Sequence, residues 1–248
     1  MNTDWKQRFA RDAALLPHML DIASDQILLS QLIEPDYNAA SFLDQRIFTP
    51  QLQRMTATWA QMKDVVVPAN PAPHYIFHIG HVGSTLLSRL LGGSSQILAV
   101  REPQILRDLC DISQIIDQAH APWSPDTYAL RRDLVVAWLS RRFHGGQRVM
   151  IKASSFVSEM ADELIGDTTK SVFLYVSLAS YLETILAGEG SRQEAAQLAG
   201  ARLLRLHKKL AHPIGNLWEL SPVQRIALGW LCEMATLMQT YESKNQDH

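Results

Sequence analysis

The apolar positions of this chain change rhythm at about residue 74. Before it, Leu15, Leu16, Met19 and Leu20, then Ile27, Leu28, Leu29, Leu32 and Ile33, recur at intervals that suit one face of a helix, with Ser24 and Asp25 as a start signal between the groups. This pattern predicts a helical N-terminal extension over 1–65. Pro68, Pro71 and Pro73 then fall within six residues. A helix cannot propagate through them, so 66–73 is expected as a Pro-rich connector. Beyond it, short β-rich runs alternate with longer helical ones. Strands are predicted over 74–79, 97–100, 148–152 and 171–176, and helices over 84–91, 103–118, 125–143 and 156–165. Gly145 and Gly146 stop one helix just ahead of a strand. After residue 176 the pattern is helical, over 178–187, 192–210 and 222–241. Neighbouring parallel strands need a crossover, and helices supply it. The alternation therefore predicts an α/β fold: a three-layer domain over 74–248 with a central parallel sheet and a helical C-terminal region.

Composition narrows the class. A chain of 248 residues with 47% hydrophobic and 19% charged residues and a formal charge of −2 describes an ordinary soluble globule, which sets aside a disordered chain. The basic residues are spread out, with small clusters at Arg131/Arg132, Arg141/Arg142 and Lys208/Lys209 expected on solvated faces, so no nucleic-acid partner is expected. Cys110 and Cys232 are the only cysteines, which excludes a disulfide framework and a four-cysteine zinc site and leaves two small buried apolar groups. The start of the chain has no apolar run of signal-peptide type, and no stretch approaches the roughly 18 apolar residues of a membrane span. A cytoplasmic protein without a membrane partner is expected, and a homo-oligomer is left open. Trp123, Trp138, Trp218 and Trp230 are expected in the core or an interface.

In sheets of this kind ligands sit at the carboxyl ends of the strands. The most informative stretch lies there, in Tyr75-Ile-Phe-His-Ile-Gly-His-Val-Gly-Ser-Thr-Leu-Leu-Ser-Arg-Leu-Leu91. Gly80 and Gly83 let the backbone curl so that N–H groups converge, and Ser84 and Thr85 open a helix whose positive dipole end faces the same hollow. That is an anion cradle, most naturally for phosphate. It differs from the G-x-x-x-x-G-K-[ST] loop of nucleoside-triphosphate hydrolases: no Lys precedes Ser84, and only two residues separate the glycines. The other strand ends carry Arg101 and Glu102, Lys152 with Ser154 and Ser155, and Ser177.

These residues resemble the sulfotransferase branch of the P-loop superfamily, whose members often open with R-S-G-S-T-L-L or P-K-S-G-T-T after a strand; here the run is His81-Val-Gly-Ser-Thr-Leu-Leu87. The resemblance covers about residues 74–188 and reads the chain as a divergent, C-terminally short, bacterial-type member. It implies a P-loop-type domain that binds 3′-phosphoadenosine-5′-phosphosulfate as co-substrate and transfers its sulfuryl group to a hydroxyl or amine of a small-molecule or peptide acceptor, with no metal. By the resemblance Gly80, His81, Val82, Gly83, Ser84 and Thr85 hold the 5′-phosphosulfate. His81 takes the place of an Arg or Lys that stabilises charge on the bridging oxygen. Glu102, in Val100-Arg-Glu-Pro103, stands where tyrosylprotein-type members carry their general base, and Lys152 where they carry a lysine on the sulfuryl oxygens. The family's R-D-x-R and following serine, which grip the 3′-phosphate, correspond here to Ser177 and Thr184.

Other readings compete. An ATP-dependent small-molecule kinase would lack the loop lysine, and a degenerate relative would bind nucleotide or a partner protein without turnover. Glu102 could cap the next helix with Pro103 as its first residue, or pair with Arg101. Lys152 could be a structural ion-pair partner. Arg192, Arg202 and Arg205 are expected on a solvated helix face, where one of them could supply the missing 3′-phosphate contact. His74, His78 and His81 have no accompanying carboxylate or cysteine at a metal-ligand spacing.

Overall fold

The computed structural model describes residues 4–210 and 213–246; the remaining parts of the expected terminal regions lie outside the described residues. A short helix α1 (Asp4–Arg11) leads into three antiparallel strands in the order β1 (Leu15–Asp21), β2 (Gln26–Gln31), β3 (Arg54–Thr58), with helix α2 (Glu34–Ala39) in the β2–β3 connection and α3 (Trp59–Met62) after β3. The expected helical extension is therefore corrected to a small sheet. Pro17 is the physical reason: it would break a helix at the centre of the first apolar run, and it sits beside an irregularity in the register of β1, an edge strand, where a missing N–H is tolerated. Ser24 and Asp25 start no helix. They turn the hairpin, Asp25 adopting φ +51° and the Ser24 amide donating to Asp21.

After an irregular 65–73 stretch, four strands form a wholly parallel sheet: β4 (His74–His78), β5 (Ile97–Arg101), β6 (Arg148–Lys152) and β7 (Ser171–Leu174), in the spatial order β5-β6-β4-β7. The α/β architecture is as expected. Helix α4 (Ser84–Gly92) covers one face, where Leu87 and Leu91 meet Ile76, Ala99 and Met150. A Cβ on Gly92 would lie 2.8 Å from Ala99 Cβ, so only glycine allows this approach. The alternate residues Tyr75, Phe77, Leu98, Val100, Val149 and Ile151 face a larger core with α5 (Gln104–Ser113), α6 (Pro125–Leu139) and parts of the N-terminal sheet. The predicted 156–165 helix is a 3-10 turn over Ser155–Met160 followed by α7 (Ala161–Leu164). Helices α8 (Leu178–Ala187), α9 (Glu189–Leu210) and α10 (Pro222–Gln246) complete the chain. Among the described residues no helix is long and apolar enough to cross a membrane.

Several side chains depart from their expected settings. Cys110 and Cys232 are buried as expected, with thiol pKa values pushed up to about 12 by burial. Trp123 and Trp138 are in the core, whereas Trp218 is 76% exposed. Arg141 is buried rather than solvated, and Arg131 stacks between Trp59 and Trp123 while pairing with Asp25. Arg202 and Arg205 are also buried, because α9 lies against α10 and both pair with Glu233 there.

The N-terminal sheet carries a buried titratable group. His18 is fully buried against Phe48, with no hydrogen-bond partner for either ring nitrogen among the described residues, and desolvation lowers its pKa to about 4 although Asp44 pulls upward. Because the folded state holds the neutral ring, His18 costs stability as pH falls from the unfolded value of 6.5 towards 4, by up to about 3 kcal/mol. Asp108 acts in the opposite sense, since burial raises its pKa from 3.8 to about 6 and acidification through that window relieves its charge. The melting temperature of His18→Leu, measured against wild type, should therefore rise as pH falls from 7 to 4.5. Parallel curves would show that His18 carries no such cost.

Candidate functional site

The chain leaves β4 towards β5 and leaves β6 in the opposite direction, towards β7. Connections that diverge from adjacent strands open a crevice at their carboxyl ends. A cleft of about 490 Å³ occupies that place, lined from β4 and its loop by His78, Ile79 and all six residues from Gly80 to Thr85. Glu102, Lys152, Ser154 and Ser155 line it from the neighbouring strand ends.

The loop has the backbone of an anion site. Gly80, His81 and Gly83 have φ of +87°, +54° and +78°, a left-handed run that turns successive amides to one side. Gly83 is the N-cap of α4 and offers no side chain to the helix end. Among the described residues no acceptor meets the amides of His81, Val82, Gly83, Ser84 or Thr85. Orphan amides at a helix start normally find a cap, water or an anion. The Gly80 amide is used differently, donating to His78 Nδ1 at 3.0 Å.

That bond fixes the His78 tautomer. Nδ1 accepts, which leaves Nε2 to carry a proton; Nε2 lies 3.7 Å from Glu102 Oε1 and has no hydrogen-bond partner among the described residues. The ring is 4% exposed. A buried donor without a partner is costly unless something completes it, and His78 thereby joins the cradle to the carboxylate.

Glu102 leaves β5 in a left-handed conformation, φ +47°, while its amide donates to the Lys152 carbonyl at 2.6 Å. Only two other non-glycine residues among those described share a positive φ, His81 and Asp25, so two of the three strained positions are in the cleft. Lys152 Nζ forms an ion pair with Glu102 Oε1. Burial pushes the Glu102 pKa up, but facing His78 and the Lys152 ammonium outweigh it and hold the carboxyl below its ordinary range. Burial prevails at Lys152, whose side chain is 2% exposed against 17% for Glu102, so its pKa is lowered in spite of the pair. Glu102 caps no helix: Pro103 is the N-cap of α5, which begins at Gln104. Arg101 does not pair with it either, being buried against the carbonyls of Tyr37 and Ala40 and the Ser88 hydroxyl.

Three expected positions are modified by the geometry. Desolvation lowers the His81 pKa, with Glu194 opposing and Arg202 adding to the fall, which disfavours the cationic ring that would stand in for Arg. Ser177 does not line the cleft; it caps α8 by accepting from the Ser180 amide. Thr184 is likewise absent from the lining and donates back to the Ser180 carbonyl. Sequence reasoning missed the wall supplied by the N-terminal segment, where Phe42, Asp44 and Arg46 reach the cleft because the Leu43 amide donates to the Arg101 carbonyl. The Arg46 guanidinium stacks on Phe42 and pairs with Asp44. No signal in the sequence couples this segment to the cleft.

No family model, curated protein or solved structure matches this chain.

Proposed function

We propose that this chain is a P-loop-type, sulfotransferase-like enzyme that seats the 5′-anion of 3′-phosphoadenosine-5′-phosphosulfate on the 80–85 loop and passes its sulfuryl group to a hydroxyl or amine. The observation that carries the reading is the run of five amides, His81 to Thr85, that meet no acceptor among the described residues and belong to residues lining the same cleft as the Glu102–Lys152 pair. The chemistry follows from the side chains present. Glu102, ionised at neutral pH, accepts the acceptor's proton as the acceptor oxygen or nitrogen bonds to sulfur. The bond from sulfur to the bridging oxygen breaks, and its electron pair leaves on the nucleotide phosphate, where the amides of the loop and the dipole of α4 stabilise the growing charge. Lys152 balances the charge of Glu102 and of the sulfuryl oxygens.

Thermal unfolding tests the donor class. Adenosine 3′,5′-bisphosphate at 100 times its dissociation constant should stabilise the fold by about 2.7 kcal/mol, and ATP with magnesium should do less at equal concentration. A larger shift with ATP and magnesium would favour phosphoryl transfer, and no shift with either would remove the nucleotide reading.

A further inference from the structure

The loop carries no lysine and burial disfavours the charged form of His81, so within the 80–85 loop itself only amides face a ligand of high negative charge. Arg202, on α9, lies in the wall of the same cleft. Its side chain is 6% exposed, and among the described residues its one side-chain hydrogen bond is from Nε to Glu233 Oε1, at 3.2 Å. Nη1 and Nη2 have no acceptor among the described residues. The guanidinium is close enough to His81 to help depress its pKa. Its place is built: a Cβ on Gly229 would stand 3.1 Å from Nη1 and 3.4 Å from Cζ, so α10 is bare where Arg202 passes. Glu233 is held in turn by Arg205, which also engages Glu159. A guanidinium anchored through Nε, with Nη1 and Nη2 meeting no acceptor among the described residues, is set up to receive a planar pair of oxyanion acceptors.

We propose that Arg202 is the cationic clamp of this site, using Nη1 and Nη2 to bind oxygens of the phosphate or phosphosulfate group seated on the 80–85 loop. It thereby does from α9 what a loop lysine does elsewhere. The proposal rests on the reading of that loop as an anion cradle. It adds that the charge holding the anion comes from a residue more than a hundred positions away in the chain.

Calorimetric titration with inorganic pyrophosphate and with adenosine 3′,5′-bisphosphate separates the two claims. Arg202→Gln should weaken binding of both by roughly 10- to 100-fold, while Arg192→Gln, on the exposed side of the same helix, should leave it unchanged. Wild-type affinity in Arg202→Gln overturns the clamp and leaves the cradle standing. Absence of binding by wild type overturns both. If Arg202→Gln does not unfold cooperatively, Arg202→Lys carries the test, because it keeps a cation against Glu233 but loses the fork. It should bind about 10-fold more weakly, and full affinity there overturns the clamp.

Discussion

Replacement of Glu102 by Gln should abolish sulfuryl transfer while leaving nucleotide binding intact. Loss of a general base costs on the order of 10²–10⁴-fold in rate, read as release of adenosine 3′,5′-bisphosphate from the phosphosulfate donor in the presence of a phenolic acceptor. Glutamine occupies the same volume but cannot take the proton, and the ammonium of Lys152 loses its partner. Because the cradle is made of backbone amides, the ligand-induced thermal shift should survive in the variant. That combination separates a base from a structural carboxylate, whose loss would weaken binding and fold together. The pH profile gives an independent check. With Glu102 held below the ordinary carboxylate range, the wild-type rate should stay level from neutrality down to about pH 5 and fall only under more acid conditions. Wild-type turnover in Glu102→Gln would assign the proton elsewhere.

The second large effect is on stability. Arg141, just beyond α6, is 2% exposed and has no carboxylate partner among the described residues; it donates to the carbonyls of Phe9, Asp12, Leu15 and Trp138, and its guanidinium lies 3.7 Å over the Phe9 ring. Burial lowers its pKa to about 10. One side chain thus pins the end of α1 and the start of β1 to the α/β core. Arg141→Met keeps much of the apolar stem but strands those carbonyls. It should destabilise the protein by about 4 kcal/mol, since hydrogen bonds to a charged donor contribute roughly 1.5–3 kcal/mol each and relief of the buried charge offsets part of the loss. Arg141→Lys should recover little, because an ammonium cannot fork to carbonyls on several sides. Urea unfolding at unchanged slope would measure this. A loss under about 1 kcal/mol would show that the N-terminal sheet is held by apolar contacts alone.

The core strands were legible because each is a short apolar run bounded by a breaker, as with Gly80 after His78 and Gly145-Gly146 ahead of Arg148. The turn from β4 into α4 was legible for the same reason: Gly80 and Gly83 supply the positive φ that a tight strand-to-helix turn needs. The N-terminal sheet was misread because a run such as Ile27-Leu28-Leu29 satisfies both a period of two and a period of 3.6; Pro17 was the available clue. Ser177 and Thr184 were claimed by local bonding to Ser180, a preference that short hydroxyl side chains carry near helix starts. The buried arginines were beyond sequence reasoning. Arg101 and Arg141 bond mainly to backbone carbonyls of distant segments, and the Arg202 carboxylate, Glu233, is on another helix. Backbone acceptors leave no trace in residue identity, so these arginines look the same as solvated ones.

The central claim is that an anion sits on the bare amides between β4 and α4. Amide chemical shifts of isotopically labelled protein, titrated with adenosine 3′,5′-bisphosphate, test it at those atoms. The amides of His81, Val82, Gly83, Ser84 and Thr85 should move together and downfield, as N–H groups do on meeting an oxyanion. Saturable binding that leaves all five in place would contradict the account.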